Sequence, residues 1–172
     1  MKTKIHLYLF ALLLLALNAC KKERIEHEDS FDQSYKSWIS FKADANNSYR
    51  YHVASSSWIG NNSETIITVK NGKVIGRSYI AKAIVQPGNT VAVVSEWTED
   101  EKSLNNHNDG AATLTLDEIY GHAKSAWLIK RKDAKILLET KNNGMISSCG
   151  YIINGCQDDC FNGIRISVIE KM

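Results

Sequence analysis

The stretch that decides the fold is ETIITVKNGKVIGRSYIAKAIV, residues 64–85. Two runs rich in β-branched residues flank Asn71 and Gly72. Both of these residues tolerate the positive φ angles that a type I′ turn requires, and Asn-Gly between two such runs is a strong hairpin signal. The stretch therefore predicts two antiparallel strands joined by a tight turn.

A longer meander extends from this hairpin in both directions. The run SYRYHVAS (48–55) precedes it, and TVAVVSEW (90–97) follows it after a turn signal at Pro87-Gly88. Both runs are rich in β-branched and aromatic residues and are bounded by turn formers. We expect an antiparallel meander of about four strands.

A helix is predicted before this meander. Ser30 and Gln33 form a capping-box pattern, which marks a helix start. Apolar side chains then recur at helical spacing, which predicts a helix over 31–44 with the buried residues Phe31, Tyr35, Trp38 and Ile39. We interpret this stripe as core, because apolar stripes at helical spacing usually face the core.

The second half of the chain repeats the order of helix and strands. Thr115 and Glu118 form a second capping box before a helix over 116–128, and three β-rich runs follow. The sequence therefore predicts an α+β fold with two helices packed on antiparallel β-meander sheet. The order fits either a tandem helix-plus-meander repeat, with halves 30–97 and 113–172, or one continuous sheet.

The N-terminus has the pattern of a secretory signal. Lys2 and Lys4 precede an apolar core that is too short to span a bilayer. The sequence Leu17-Asn18-Ala19-Cys20 resembles the lipobox of bacterial lipoproteins, in which a peptidase cuts before the cysteine and the cysteine carries lipid. We expect residues 1–19 to be a lipoprotein signal peptide and Cys20 to be the lipidation site. The alternatives are an ordinary signal peptide with a chance cysteine, or a short membrane anchor.

The segment after Cys20 predicts a flexible tether. Its sequence KKERIEHED contains one apolar residue among charged residues and a histidine, which cannot build a core. We therefore assign residues 20–29 to the tether and 30–172 to a single α+β domain. The expected location is the bacterial cell envelope, anchored by lipid in the outer membrane, on either its periplasmic or its surface face.

The charge of the mature chain argues against nucleic acid as a partner. The whole chain carries +2, but removing Lys2 and Lys4 leaves 19 basic and 19 acidic residues. The cluster Lys130-Arg131-Lys132 is short, and we interpret it as a solvated helix end. The mature chain also has no apolar run of membrane-spanning length.

Several motifs occur in a fixed order: Trp38, Tyr49-x-Tyr51, ITVKNGKVI (67–75), LTLDEIY (114–120), and a hairpin near Gly144 followed by CQDD (156–159). This order resembles a family of secreted bacterial lipoproteins that carry a domain of unknown function. The resemblance covers most of the mature chain and implies a fold and a location, but no reaction. Where the family has cysteines after the Tyr-x-Tyr strand, this chain has HVASSSW (52–58), so any disulfide of the family there is missing.

Three cysteines remain in the mature domain, in a compartment where disulfides form. Cys156 and Cys160 bracket QDD in a predicted loop, and we favour a bridge between them. A bridge from Cys149 to either of them is the alternative. Three thiolates and a histidine could form a zinc site, but the histidines lie scattered along the sequence, so we expect no metal and no other cofactor.

Catalytic motifs are missing from the sequence. It contains no Gly-x-Ser-x-Gly, His-Glu-x-x-His, phosphate-binding glycine loop or Cys-x-x-Cys. We interpret Glu96, Glu99 and Asp100 as solvated loop charges, and we assign no catalytic residue. Trp58 and Trp97 flank polar loops and are candidates for contact with a partner or a glycan, with burial as the alternative for each.

These patterns predict a lipid-anchored binding or interaction module, whose partner is an envelope protein or a glycan. One alternative is a small envelope hydrolase or redox enzyme that uses the region of Cys149, Cys156 and Cys160. Another is a structural accessory subunit of an envelope complex. A cluster of polar groups in a pocket would favour the enzyme, whereas an exposed apolar patch or sheet edge would favour a binding module or subunit.

Overall fold

A computed structural model describes residues 25–57, 59–158 and 160–172. The predicted signal peptide, Cys20 and Trp58 lie outside the described residues. The described elements are α1 (Glu28–Asp44), β1 (Tyr49–Ser56), β2 (Asn62–Lys70), β3 (Lys73–Val85), β4 (Thr90–Asp100), α2 (Leu116–His122), β5 (Ala134–Glu139), β6 (Ser148–Ile153) and β7 (Phe161–Lys171). A π-helical turn, Ala123–Trp127, continues α2.

The strands form one seven-stranded sheet in the order β4-β3-β2-β1-β7-β6-β5, and all neighbours are antiparallel. Four strands follow α1 and three follow α2, and the pairing of β1 with β7 joins the two meanders. This architecture confirms the predicted α+β fold. The two meanders share a single continuous sheet.

The predicted hairpin is present between β2 and β3. Asn71 has φ 50° and Gly72 has φ 76°, so both residues of the turn adopt the left-handed region. The Gly72 backbone N–H also donates to the Asn47 carbonyl at 2.9 Å, which ties the turn to the segment after α1. The Asn-Gly signal was therefore sufficient to place this turn.

Both helices pack on one face of the sheet, where Tyr49 and Tyr51 of β1 are fully buried. The Tyr49 hydroxyl accepts from the Leu116 N–H at 2.9 Å, and the Tyr51 hydroxyl donates to the Leu114 carbonyl. Trp38 of α1 packs edge-on against Tyr49, with ring centroids 5.2 Å apart. The core therefore lies between the helices and the central strands.

The aromatic stripe on α1 is only half buried. Phe31 and Trp38 are in the core, as predicted, but Tyr35 and Ile39 are 42% and 44% exposed. The buried line of the helix runs through Phe31, Ser34 and Trp38, so Tyr35 and Ile39 lie at its margin. The prediction that all four residues are core was wrong for these two, because the contact face of α1 is narrower than its apolar face.

The folded domain begins earlier than the sequence indicated. Ile25 is buried and forms an isolated bridge with Ile129, and the Glu26 N–H donates to the Leu128 carbonyl at 2.7 Å. Helix α1 starts at Glu28 rather than at 31. The prediction that residues 25–29 belong to the flexible tether is therefore wrong, because Ile25 contributes to the core and the helix begins at Glu28.

Candidate functional site

Strand β4 ends at Asp100, and residues 101–115 then fold back over β3 and β4. Arg77 of β3 and Glu99 of β4 are cross-strand neighbours, and they are only 4% and 1% exposed. The Arg77 Nε and Nη2 atoms each donate to a Glu99 carboxylate oxygen at 2.9 Å. The interpretation of Glu99 as a solvated loop charge was wrong, because this residue lies in a strand on the covered face.

The buried ion pair also holds the segment that covers it. Arg77 donates to the carbonyls of His107 at 2.8 Å and Ala111 at 3.1 Å. Glu99 accepts from the backbone N–H groups of Asn105 at 3.0 Å and His107 at 2.8 Å. These bonds, above all the one from Arg77, hold the pKa of the Glu99 carboxyl well below its usual range. We call Arg77, Glu99 and residues 101–115 the clasp.

Trp97 belongs to the same region. Its ring stacks on His107 with centroids 4.3 Å apart and on Tyr79 with centroids 5.2 Å apart. The Arg77 guanidinium carbon lies 4.7 Å from the Trp97 ring centroid. Of the two tryptophans proposed from sequence to contact a partner, Trp97 is thus occupied by contacts within its own chain, and Trp58 is outside the described residues.

The cysteines are arranged as favoured from the sequence. Cys156 and Cys160 form a disulfide, and Cys149 is a buried free thiol. Burial raises the pKa of the Cys149 thiol to about 12, so it is protonated at neutral pH. A protonated, buried thiol lacks the properties of a nucleophile or a redox centre.

Side chains that could take part in metal or acid–base chemistry occur as pairs among the described residues. Within the described part of the chain, no group of three or more His, Cys, Asp and Glu side chains could hold a metal ion. His52 pairs with Glu64 at 3.1 Å, and His107 pairs with Glu99 at 3.0 Å. Among the residues that the structure describes, no helix has both the length and the hydropathy needed to cross a bilayer.

The opposite end of β3 and β4 exposes aliphatic side chains. Residues 83–95 contain no charged residue and no histidine. Strand β4 lies at the edge of the sheet, and this end exposes four large aliphatic side chains: Ile84 (44%), Val91 (64%), Val93 (51%) and Val94 (55%). We call these four residues and the adjacent backbone edge the β4 surface.

The strand register places most of these side chains on one face of the sheet. Ile84 pairs with Val91, and Lys82 pairs with Val93, so these residues share one face of the sheet. A bulge shifts the register between Ala81 and Lys82 and leaves Val94 without a cross-strand partner. The exposed valine side chains of β4 therefore lie next to the free backbone N–H and C=O groups of its outer edge.

A shallow recess lies beside the β4 surface. Its volume is about 270 Å³, and its lining combines small polar side chains with an aromatic ring and aliphatic groups, including Ser55, Asn61, Ser63, Tyr79 and Val94. By the strand register, Tyr79 and Ala81 lie on the face of the sheet opposite to Val91 and Val93, so this recess meets the β4 surface only at Val94.

No protein-family model, curated protein or solved structure matches this chain. The geometry of the described residues is therefore the basis for assigning a function.

Sequence reasoning missed both features of β3 and β4. Arg77 and Glu99 lie 22 positions apart, and neither stands out in its own strand. Their pairing follows only from the register of the hairpin around Pro87-Gly88, which places Arg77 opposite Glu99 and Ile84 opposite Val91. The one local signal for the β4 surface was the uncharged run 83–95.

Proposed function

We propose that this protein is a lipid-anchored, non-catalytic binding module of the bacterial cell envelope. Its binding site is the β4 surface, and its partner is an extended segment of another envelope protein. The observation that carries this proposal is the edge position of β4 together with its exposed Val91, Val93 and Val94.

The physical argument begins with the unpaired edge. An edge strand presents a row of free N–H and C=O groups, and proteins usually protect such edges with Lys, Pro or short strands. Strand β4 has 11 residues, and its segment 90–95 contains neither Lys nor Pro. An added strand would satisfy these backbone groups.

The exposed valines supply the apolar part of the interface. Burying the exposed part of each valine would contribute roughly 1 kcal/mol. Alternation of side chains along an added strand would bring every second partner residue over this face. The expected partner segment is therefore extended and carries apolar residues at alternate positions.

A protein strand suits this surface better than lipid or sugar. Unpaired backbone groups are costly in a hydrocarbon environment, which disfavours insertion of the β4 edge into lipid. Sugars are usually recognised by aromatic rings, whereas the side chains of the β4 surface are aliphatic.

The lipid anchor is the second part of the proposal. It rests on the N-terminal pattern, in which Lys2 and Lys4 precede a short apolar core and Cys20 follows a small residue. Lipidation at Cys20 would hold the module on a membrane of the envelope, and the outer membrane is the proposed location. The resemblance to secreted lipoproteins agrees with this assignment.

The test uses lipidated protein and detergent-solubilised envelopes from the native host. Captured proteins are quantified by mass spectrometry for the parent, for the variant Val91→Thr with Val93→Thr, and for Val168→Thr. Threonine preserves strand propensity but removes apolar surface. Val168 is a matched control, because it is an exposed valine on β7.

We expect one stoichiometric partner, with roughly tenfold less recovered by the double variant and no change for the control. A photo-reactive residue at Ala92 should then cross-link to a single extended segment of that partner. The proposal is wrong if no stoichiometric partner is captured, or if the double variant retains it.

A further inference from the structure

We infer that one end of the domain rests on the lipid bilayer, with the cluster Lys130-Arg131-Lys132 placed at anionic headgroups. This is the end at which the chain leaves toward Cys20, and we call it the tether end. The inference rests on the lipid anchor of the proposed function, and it concerns the loops and the basic cluster of this end rather than the backbone edge of β4.

The first step is the shortness of the connection. Ile25 is 8% exposed and is bridged to Ile129, so the domain is anchored from this residue onward. Only residues 21–24 separate Ile25 from Cys20. Five Cα–Cα steps span at most roughly 18 Å. A lipid on Cys20 would therefore hold this part of the domain close to the headgroups.

The second step is the topology of the sheet. Ile129 leads through residues 130–133 into β5, whose first residue, Ala134, pairs with Ile153 at the end of β6. Because all strands are antiparallel, the starts of β5, β7, β2 and β4 lie at the same end of the sheet. The loops at this end are 57–61, 86–89, 130–133 and 154–160.

The third step is the chemistry of these loops. Loops 57–61 and 86–89 contain no charged residue. Two exposed isoleucines lie at this end, Ile59 (52%) and Ile153 (47%). Ile59 lies in an uncharged loop and can enter the headgroup region without desolvating a charge, whereas Ile153 lies next to loop 154–160, which carries Asp158 and Asp159.

The fourth step is the basic cluster beside the exit of the chain. The Lys130 side chain is 61% exposed and makes one long contact, 3.8 Å, with Glu26. Lys132 is exposed and forms no ion pair with any described residue. Arg131 donates to the carbonyls of Ala126 and Ile129, and its guanidinium carbon lies 4.0 Å from the Tyr151 ring centroid. These contacts fix the backbone that presents the two lysines.

The charges around Lys130-Arg131-Lys132 set how strongly this cluster is attracted to an anionic membrane. Lys21, Lys22 and Arg24 add three cations in the connecting segment. Acidic residues of the same region oppose them: Glu23, Glu26, Glu28, Asp29 and Asp133, together with Asp158 and Asp159 of loop 154–160. A lysine near an anionic membrane surface contributes about 1 kcal/mol, so Lys130 and Lys132 would give the domain weak, salt-sensitive membrane binding without its lipid and would orient the domain that the lipid holds.

The first test isolates the electrostatic contact. Mature protein with Cys20→Ala is sedimented with phosphatidylcholine vesicles that contain or lack phosphatidylglycerol, at low and at high salt. The variant Lys130→Gln with Lys132→Gln is compared with Lys70→Gln and Lys73→Gln. Lys70 and Lys73 are exposed at the opposite end of the sheet, and the control changes net charge equally.

We expect binding only to the anionic vesicles, weakened by salt and reduced about tenfold by the Lys130 and Lys132 changes. The control pair should remain within about twofold of the parent. Equal losses for both pairs, or no binding of the parent, would overturn the inference.

The second test reads the orientation of the lipidated protein. A polarity-sensitive fluorophore is attached at Ile59→Cys or at Lys73→Cys, and quenching by lipids with brominated headgroup-proximal chains is measured. The label at position 59 should be quenched and the label at position 73 should not. Equal quenching of the two labels contradicts the inference. Mass spectrometry of the same samples reports lipid on Cys20, so failure of the anchor is distinguished from failure of the orientation.

Discussion

Strands β3 and β4 pair from Gly76 with Asp100 to Val85 with Thr90, and the two ends of this pairing differ in how they meet solvent. At one end, Arg77 and Glu99 are buried under residues 101–115, which satisfy them with backbone groups. At the other end, Ile84 and Val91 form a cross-strand pair that remains 44% and 64% exposed. One end is thus closed by its own chain, and the other presents apolar surface to solvent.

This difference separates a stability element from the interaction surface that we propose. A buried ion pair is tolerated only when its remaining donors and acceptors are satisfied, and the clasp meets this requirement internally. Among the described residues no segment covers the exposed side chains of the β4 surface, and exposed apolar surface at a sheet edge is typical of a site of association. The clasp should therefore respond to substitution through folding, and the β4 surface through binding.

The largest expected effect is at the clasp. Replacing Arg77 by Met leaves the Glu99 carboxylate buried without its ion partner, which is strongly destabilising. We expect the Tm to fall by roughly 10 °C in differential scanning calorimetry. Arg50→Met is the control, because Arg50 is 49% exposed and lies 3.8 Å from Glu170. A similar decrease in Tm for both variants would show that the buried pair contributes no more to stability than an exposed ion pair does.

The second effect is a pH dependence of the same pair. The pKa of Glu99 is lower in the folded state than in the unfolded chain. Its contribution is therefore fully present above the unfolded value, about 4.3, and is lost as the pH falls below it toward the folded value. Urea unfolding at pH 7 and at pH 3 should show a smaller acid-induced loss for Glu99→Gln than for the parent. Hydrogen bonds from Ser103 also lower the pKa of Asp100, so Asp100 contributes an acid-induced loss of stability to the parent and to Glu99→Gln alike.

A smaller effect is expected from the covalent link at the tether end. The disulfide Cys156–Cys160 closes a loop with a sequence separation of 4. Short loops limit the entropy that a crosslink removes from the unfolded chain, so replacing both cysteines by serine should cost about 2 kcal/mol. The expected decrease in Tm is about 5 °C. A larger decrease in Tm than that of Arg77→Met would show that the clasp is not the main contributor to stability.

The smallest stability effect is expected at the β4 surface. Val91→Thr with Val93→Thr removes exposed methyl groups and keeps β-branched residues in a strand. The Tm should stay within about 2 °C of the parent. A marked decrease would show that these valines contribute to folding, and the contrast between the two ends would then fail.

Local patterns were sufficient for much of this fold. The Asn71-Gly72 turn, the capping box of Thr115 with Glu118 and the disulfide between Cys156 and Cys160 were all predicted and confirmed. Each depends on residues within a few positions of one another. The extent of the folded N-terminus was missed, because the burial of Ile25 depends on Ile129, which lies more than a hundred residues away.

The sequence by itself determined the α+β class, the order of helices and strands, and the N-terminal pattern that predicts a lipid anchor. These depend on periodicity, capping and turn chemistry, which act over short distances. Only the tertiary structure decided that Arg77 and Glu99 form a buried pair, that β4 is an edge, and that Ile25 and the 130–132 cluster share one end of the sheet. These features arise from strand order and register, which pair residues that are distant in sequence.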